Sequence, residues 1–214
     1  MNWKSVLLAV VVVTAGTATG WGLYGWWRTP ASPRELTQQL DATVFPADYA
    51  RLPEVQLQTA DGAFTRDDLA GRWTLLFMGY THCPDICPTT LQRLALALDA
   101  MRGENAPTPR VLFVSVDYPR DTPQGVSKYA AAFGNDFTGA TADEATLRRI
   151  ADTLHVSFSI PDDRDDGNYA VQHSGAVFLL DPAGRVRALL GSPKDPATIA
   201  EEVTRIRKAL EAHG

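Results

Sequence analysis

Apolar residues are distributed along the chain in two ways, as short continuous runs and as longer stretches in which they recur every three or four positions. The runs Trp73–Met78, Val111–Val116 and Ala176–Leu180 have the length of strands that are buried on both faces. The periodic stretches predict helices that follow Pro88 to Met101, Pro123 to Phe133, Ala142 to Leu154 and Ile199 to Leu210. Strands that alternate with helices predict an α/β domain with a central mixed sheet.

Two hairpins accompany these elements. Val55 and Leu57 alternate with polar residues ahead of Asp61-Gly62, a dipeptide typical of tight hairpin turns. Near the C-terminus the turn Asp181–Gly184 leads into a second strand, Val186–Leu190. A late hairpin followed by a last helix predicts a thioredoxin-like fold, with helices flanking the mixed sheet, rather than a Rossmann fold. The chain contains neither Gly-x-Gly-x-x-Gly after the first strand nor a phosphate-binding Gly-Lys-Ser/Thr, so nucleotide binding is not expected.

The N-terminal segment differs from the rest of the chain. Val6–Trp27 comprises 22 residues without a charge. At ~1.5 Å rise per residue, a helix of this length crosses a hydrocarbon core of about 30 Å. Aromatic residues typical of a membrane interface gather at its C-terminal end, namely Trp21, Tyr24, Trp26 and Trp27. Residues 1–28 therefore predict one transmembrane anchor, and the alternative is a cleaved signal peptide with Val6–Val13 as its apolar core.

Either interpretation places the remainder of the chain outside the cytoplasm. Residues 29–52 contain several prolines and few periodic apolar positions, so they predict a tether, and residues 53–214 form the predicted domain. No Arg-rich amphipathic presequence precedes the apolar span. We therefore expect a single-pass protein of a bacterial inner membrane with its domain in the periplasm, rather than a mitochondrial protein.

Composition excludes several functional classes. The 214 residues suffice for one ordinary core beside the N-terminal segment, and the net charge is −5. Lysine and arginine are scattered, whereas nucleic-acid binding requires a basic face, so no nucleic-acid partner is expected. The chain has only two cysteines, four positions apart, which excludes a disulfide scaffold and indicates a local role for the pair.

The two cysteines lie between a predicted buried strand and a predicted helix. The segment Tyr80–Pro88 reads Tyr-Thr-His-Cys-Pro-Asp-Ile-Cys-Pro and contains Cys83 and Cys87. Unpaired N–H groups at a helix N-terminus favour thiolates and lower their pKa. Cα atoms at this spacing in a turn lie roughly 6 Å apart, which is within the range of a disulfide. The pair can therefore be a metal chelate or a redox couple, and the spacing alone does not distinguish them.

A metal site would need a third donor. Soft thiolates together with an imidazole suit copper(I) or zinc. His173 precedes a buried strand, in a loop that we expect to face the cysteine loop. His82 is expected to point away from the sulfurs, while His155 and His213 lie at a helix end and in the C-terminal tail. A histidine before a strand is often only a hydrogen-bonded structural residue, so the position of the cysteine pair is what favours His173 as the third ligand.

Acidic residues near these segments have alternative roles. Asp85 either lies close to the metal as an outer group or faces solvent. Asp117, with Arg120 and Asp121, either supports the metal loop or a partner contact, or forms a salt-bridged turn at the start of a helix. The run Asp162–Gly167 lacks the ligand alternation of a calcium loop and predicts a solvated loop.

Three segments together resemble the Sco/SenC family of copper chaperones. These segments are Tyr80–Pro88, Val116–Pro123, and His173-Ser174 followed by Leu179–Gly184. The resemblance covers about residues 53–210 and extends to the single N-terminal anchor. It implies a thioredoxin-like fold and a copper site formed by Cys83, Cys87 and His173. The family usually has an acidic residue where this chain has Gln172, and this difference removes a candidate carboxylate beside the metal.

The resemblance also implies a function. It implies a metallochaperone that delivers copper, as Cu(I) or Cu(II), to the binuclear copper centre of cytochrome c oxidase subunit II or maintains the thiols of that centre. The alternative is a membrane-anchored thiol-disulfide oxidoreductase that uses Cys83 and Cys87. Thioredoxin-type enzymes place a cis-proline beside the active loop, where this chain has His173-Ser174, and this favours metal binding over catalysis. A peroxidase of the same superfamily is a weaker alternative, because such enzymes typically lack the second cysteine.

Overall fold

The computed structural model describes residues 3, 32–104, 106–162, 169–191 and 195–212. The predicted membrane anchor, residues 1–28, lies outside these ranges except for residue 3. Within the described ranges, no helix combines the length and the apolar character that crossing a membrane requires. What the structure describes is an α/β domain with helices around a six-stranded mixed sheet.

The elements follow one another in the predicted alternation. The helices are α1 (Pro33–Gln39), α2 (Ile86–Gly103), α3 (Pro123–Ala131), α4 (Glu144–Leu154) and α5 (Pro196–Glu211). The strands are β1 (Thr43–Val44), β2 (Leu57–Thr59), β3 (Gly62–Phe64), β4 (Thr74–Gly79), β5 (Arg110–Ser115), β6 (Phe137–Ala140), β7 (Phe158–Ser159), β8 (Gln172–His173), β9 (Val177–Leu180) and β10 (Val186–Leu189). A short 3-10 helix covers Arg66–Leu69.

The central sheet has the strand order β1-β10-β9-β4-β5-β6. Strands β4, β5 and β6 are parallel, and the pairs β4–β9, β9–β10 and β10–β1 are antiparallel. Two short ladders, β2–β3 and β7–β8, stand apart from this sheet. The prediction of a central mixed sheet with a late antiparallel hairpin is confirmed.

The core is centred on β4 and β5. Every residue of β4 is buried, as is every residue of β5 after Arg110. Such uniformly apolar strands require cover on both faces, as in other sheets flanked by helices. Helix α2 packs against α5, and α3 packs against β6. The last contact is very close, because a Cβ atom added at Gly139 would lie 2.2 Å from the carbonyl oxygen of Val126.

The start of α2 and the presence of β6 differ from the sequence prediction. Helix α2 begins at Ile86 rather than at Pro88, so Cys87 belongs to its first turn. Proline fits this turn because its missing N–H would have no helical acceptor there. Strand β6 was not predicted, because Phe-Thr-Gly-Ala is short and contains a glycine, which pattern analysis treats as a weak strand signal.

Part of the predicted tether packs on the domain. Ser32 and Glu35 form a capping box at the start of α1, in which Glu35 accepts a hydrogen bond from the Ser32 N–H at 2.7 Å. Leu36 and Val44 are buried, and β1 pairs with β10 through the partners Thr43 and Leu189. Residues 33–44 are therefore folded against the sheet. Their apolar positions are too few to show a period, which is why the sequence pattern indicated a tether.

Candidate metal centre

Strand β4 ends directly beneath the cysteine loop. A Cβ atom added at Gly79, the last residue of the strand, would lie 2.7 Å from Sγ of Cys87 and 2.8 Å from the ring of Phe113. Such distances are shorter than those found between packed atoms, so no side chain fits at this position without displacing its neighbours. The absence of a side chain at Gly79 allows the Cys87 sulfur to pack against the last residue of β4.

The cysteine loop turns back on itself before α2 begins. The Cys83 N–H donates to the Tyr80 carbonyl at 3.3 Å, and the Cys87 N–H donates to Sγ of Cys83 at 3.4 Å. Both cysteines are free thiols, Cys83 half-buried and Cys87 fully buried. The first turn of α2 thus directs an N–H group at the Cys83 sulfur, as expected for a thiolate at a helix N-terminus.

His173 is held from the opposite side. It lies in β8, where it is the partner of Phe158 of β7. Its ring and the Tyr80 ring form a T-shaped pair, with 5.6 Å between the ring centroids and an interplanar angle of 83°. The Nδ1 atom lies 3.0 Å from the Ser174 carbonyl oxygen, which accepts a hydrogen bond when Nδ1 carries the proton. In that tautomer the Nε2 lone pair is available to a metal, a common arrangement for ligating histidines.

The three predicted ligands meet at one point. Nε2 of His173 lies 3.4 Å from Sγ of Cys87, and the ligand atoms of Cys83, Cys87 and His173 all lie within 4.8 Å of one another. With metal–sulfur bonds of about 2.3 Å and metal–nitrogen bonds of about 2.0 Å, ligands of a first-row ion stand roughly 3.5–4 Å apart. The arrangement therefore fits a single soft ion bound by two sulfurs and one nitrogen. Binding of an ion by these residues stays a prediction.

The two thiols have different acidities. Burial acts to raise the pKa of Cys83, but hydrogen bonds from the Asp85 and Cys87 N–H groups, from the Cys87 thiol and from the Tyr80 hydroxyl outweigh it, so the pKa of Cys83 is lowered. Burial raises the pKa of Cys87 well above its ordinary value, and the neighbouring Cys83 sulfur adds to this effect. In the metal-free centre Cys83 is thus the more acidic of the two thiols, and Cys87 holds its proton more strongly.

The imidazole of the centre remains neutral near pH 7. Burial lowers the pKa of His173, and the Ser174 and Met78 carbonyls, which favour the protonated ring, offset this effect in part. A neutral imidazole beside a thiolate is the form that binds a metal. Metal binding thus requires two thiolates and a neutral ring, and the proton held most strongly against it is that of Cys87.

The centre opens to solvent on one side. A surface depression there is lined by Tyr80, by residues 83–86 and by residues 171–173. Pro84, Asp85 and Ile86 are exposed on one rim, and Gln172 is exposed on the other. Gln172 pairs with Ser159 in the β7–β8 ladder. Because neighbouring residues of a strand point to opposite faces, Gln172 and His173 are directed differently.

The two acidic residues predicted to lie around the metal have different environments. The Asp85 side chain is exposed and accepts a hydrogen bond from the Thr89 hydroxyl at 3.4 Å, so Asp85 acts on the Cys83 sulfur through its backbone N–H. Asp117 is fully buried and accepts from Nε of Arg120 at 2.6 Å and from the Tyr169 hydroxyl at 2.8 Å. The predicted salt-bridged turn is therefore present, although Thr122 rather than an aspartate caps α3.

A second cluster next to the centre is already satisfied by protein contacts. Ligand atoms of His82, Asp117 and Asp121 lie within 4.8 Å of one another. The carboxylate of Asp121 accepts from the Thr81 N–H at 2.9 Å and from the Ser115 hydroxyl at 2.5 Å, and Asp117 is bonded to Arg120. The carboxylates of this cluster are thus occupied by donors from the protein itself.

Of the histidines that the structure describes, His82 and His155 do not join the centre. The His82 ring is exposed, with Nδ1 3.1 Å from the Thr81 hydroxyl, so it is directed away from the sulfurs as predicted. His155 ends α4 in the left-handed conformation, with φ of 53°. His213 and most of the acidic run, residues 163–167, lie outside the described residues.

Three contributors to the centre were not predicted from the sequence. They are Gly79 beneath the sulfur, Tyr80 beside Cys83, and Tyr169 at the start of the segment that leads to His173. The Tyr80 hydroxyl donates to the Cys83 sulfur and accepts from the Val171 N–H, so it connects the cysteine loop with the histidine segment. Of the three, only Tyr80 could have been identified from the sequence, because it belongs to the cysteine motif.

Comparison with known proteins identifies similar sequences and structures. The profile of the SCO1/SenC family matches residues 53–208. A protein of Stutzerimonas stutzeri that is described as copper-binding is 33% identical over 159 residues, which are 74% of this chain and 77% of that protein.

Solved structures agree in fold. The crystal structure of ScoI from Arabidopsis thaliana with copper bound has a TM-score of 0.69 and 31% identity, covering 74% of this chain and 99% of that one. The copper-bound ScoI of Bradyrhizobium japonicum has a TM-score of 0.63 and 33% identity, covering 73% of this chain and 99% of that one. The thioredoxin-like arrangement predicted from the order of elements is thus that of these proteins.

Proposed function

The chain belongs to the SCO1/SenC family, and we propose that it is a copper-binding metallochaperone for the assembly of cytochrome c oxidase. The observation that carries the proposal is the approach of Cys83, Cys87 and His173 to within 4.8 Å of one another. Relatives that are described as copper-binding, or whose structures contain copper, support the choice of metal. Copper is the cargo of the protein.

The donor set suits the proposed cargo. Thiolate sulfur and imidazole nitrogen are ligands that copper(I) accepts readily, and the same atoms accept copper(II). Binding displaces the proton of Cys87, whose pKa burial raises, while the lowered pKa of His173 already favours the neutral ring that binds a metal. Uptake and release are then ligand exchanges, in which an incoming donor replaces one of these three atoms.

The acceptor and the location complete the proposal. We take the acceptor to be the binuclear copper centre of cytochrome c oxidase subunit II, or the thiols of that centre. Residues 1–28 would anchor the chain in a bacterial inner membrane, with the domain, residues 53–214, on the periplasmic side. The length of the uncharged span, 22 residues, supports the anchor.

A thiol-disulfide oxidoreductase is the second candidate, and the unequal thiols favour it. Cys83 is half-buried with a lowered pKa, as an attacking thiol would be, and Cys87 is a buried partner that can resolve a mixed disulfide. In this reaction a client disulfide gains two electrons and two protons and becomes two thiols. Cys83 and Cys87 lose them and form a disulfide.

An anaerobic titration of the reduced full-length protein with copper(I) distinguishes the candidates. We expect one copper per chain in competition with a strong chelator, and an affinity that falls by about tenfold or more in His173→Ala. His155→Asn is the matched control, because it also removes an imidazole while asparagine tolerates the left-handed backbone at that position. Unchanged copper affinity in His173→Ala, together with rapid disulfide exchange on a client peptide, would support the oxidoreductase instead.

A further inference from the structure

One turn touches both halves of the metal centre. The turn, residues 117–121, connects β5 with α3 and is closed by the Asp121 N–H, which donates to the Asp117 carbonyl at 2.9 Å. Its two aspartates are buried. Each of them bonds to a different segment of the site.

Asp121 holds the cysteine loop. Its carboxylate accepts from the Thr81 N–H at 2.9 Å and from the Thr81 hydroxyl at 2.5 Å, two residues before Cys83. The Ser115 hydroxyl at the end of β5 donates to the same carboxylate at 2.5 Å. Hydrogen bonds to an ionised carboxylate are among the strongest in proteins, so they fix the start of the loop relative to β5.

Asp117 holds the histidine segment. It accepts from the Tyr169 hydroxyl at 2.8 Å, four residues before His173. The Arg120 guanidinium, itself bonded to Asp117, lies 3.4 Å from the centre of the Tyr169 ring. Tyr169 is thus held at its hydroxyl and on its ring face. The same guanidinium lies 5.9 Å from the centre of the Tyr80 ring, which in turn contacts His173.

We propose that Asp117 and Asp121 are positioning residues that set the separation between the imidazole and the two sulfurs. This inference rests on the proposed function, because the separation matters only if the three groups share an ion. Asp117 acts through Tyr169 and His173, and Asp121 acts through Thr81 and the cysteines. The cysteine loop and the histidine segment, which are remote in the chain, are thereby held in place by the same turn.

The division into two halves makes the inference testable. Loss of the Tyr169 hydroxyl disturbs only the histidine half, so it affects copper affinity only while His173 is a ligand. Loss of the Thr81 hydroxyl disturbs the cysteine half, so its effect persists without the imidazole. If the turn merely stabilised the fold, loss of the Tyr169 hydroxyl would also have the same effect with and without the imidazole.

The experiment is a copper(I) competition titration of the reduced full-length protein. Tyr169→Phe and Thr81→Val are each made in the wild type and in His173→Ala. We expect Tyr169→Phe to weaken affinity by about threefold to tenfold in the wild type and not at all in His173→Ala. Thr81→Val is expected to weaken affinity by the same factor in both backgrounds. Tyr118→Phe is the matched control: its hydroxyl lies on the same turn but donates to Glu144, at 2.6 Å, and its removal should leave affinity unchanged.

Amide hydrogen exchange of the metal-free protein separates failure of this inference from failure of the proposed function. We expect Tyr169→Phe to accelerate exchange at residues 171–173 by about threefold or more without affecting residues 81–87, and Thr81→Val to do the reverse. Equal effects of Tyr169→Phe on affinity in both backgrounds, or unchanged exchange at residues 171–173, would overturn the inference. Wild-type protein that bound no copper but showed the expected exchange pattern would overturn the proposed function alone.

Discussion

Gly79 and Cys87 approach so closely that a Cβ atom on the glycine would lie 2.7 Å from the cysteine sulfur. The same added atom would lie 2.8 Å from the ring of Phe113, which is fully buried. Both neighbours are fully buried, so an added methyl group must displace one of them. Stability and metal geometry therefore both depend on this one position.

We predict that Gly79→Ala lowers the free energy of unfolding by about 1–3 kcal/mol, the usual cost of overpacking a buried site. Copper(I) affinity should fall by about tenfold in the same variant, because a ligand must be held within about 0.5 Å of its bonding position. Urea denaturation and chelator competition measure the two effects.

Gly103→Ala is the control for this prediction. A Cβ atom at Gly103, the last residue of α2, meets no atom within 4 Å. Alanine there should leave copper binding unchanged and raise stability by up to about 1 kcal/mol. Wild-type affinity in Gly79→Ala would contradict the view that the glycine makes room for the ligand.

The unequal acidities of the thiols predict the order in which alkylating reagents modify them. Cys83 is half-buried and its pKa is lowered, whereas Cys87 is fully buried and its pKa is raised, chiefly by burial. Iodoacetamide should modify Cys83 first, with a rate that rises through a pKa below the ordinary value of about 8.5. Mass spectrometry of Cys87→Ser and Cys83→Ser measures each rate separately. Faster modification of Cys87 would show that the assignment of the thiolate is wrong.

Acid stability should depend on Asp136. Burial acts to raise the pKa of Asp136, but hydrogen bonds and positive charges from Arg72 and Arg102 outweigh it, so the pKa of Asp136 is lowered in the folded protein. A lowered carboxyl pKa stabilises the fold above the unfolded pKa of about 3.9, and this stabilisation is lost as the pH falls through the folded value.

We therefore predict that Asp136→Asn costs about 1 kcal/mol at pH 7, a modest value because both arginines are partly exposed. The difference from the wild type should stay constant down to about pH 4 and disappear below that value. Denaturation at several pH values measures it, and Asp99→Asn serves as the control, since Asp99 is exposed and also contacts Arg102. A difference that grew on acidification would have the wrong sign for this explanation.

Residues 33–44 should contribute to the stability of the domain. Leu36 of α1 is 3% exposed, so Leu36→Ala should cost about 2–4 kcal/mol. Leu96 is 47% exposed on α2, and Leu96→Ala should change stability by no more than about 0.5 kcal/mol. Thermal unfolding of both variants checks the prediction. Equal stabilities would mean that α1 is not part of the cooperative unit.

The sequence pattern predicted the elements that lie in the core. Strands β4 and β5 were recognisable because their residues are apolar without interruption, and α5 because its apolar residues recur with a helical period. Strand β6 has no such signal: its Gly139 is required by contact with α3, a relationship that only the assembled fold creates.

The candidate centre was predictable at the level of its ligands but not of their supports. Cys83 and Cys87 share one motif, and His173 precedes a strong strand pattern, so all three could be predicted as ligands. The bonds of Asp117 with Tyr169 and of Asp121 with Thr81 join residues that lie 52 and 40 positions apart. No local pattern encodes such pairs, because they follow from packing.

If the proposed function is correct, the unequal exposure of the two sulfurs also sets the order in which the ligands release copper to an acceptor. Cys87 is fully buried beside Gly79, while Cys83 is half-buried next to the exposed Pro84. Under the proposed function, a competing donor from an acceptor protein would reach a bound ion through the depression lined by Cys83 and His173, and not past the buried Cys87. Cys87 would then be the last ligand displaced, so the ion would remain attached to the interior sulfur until the acceptor had engaged it.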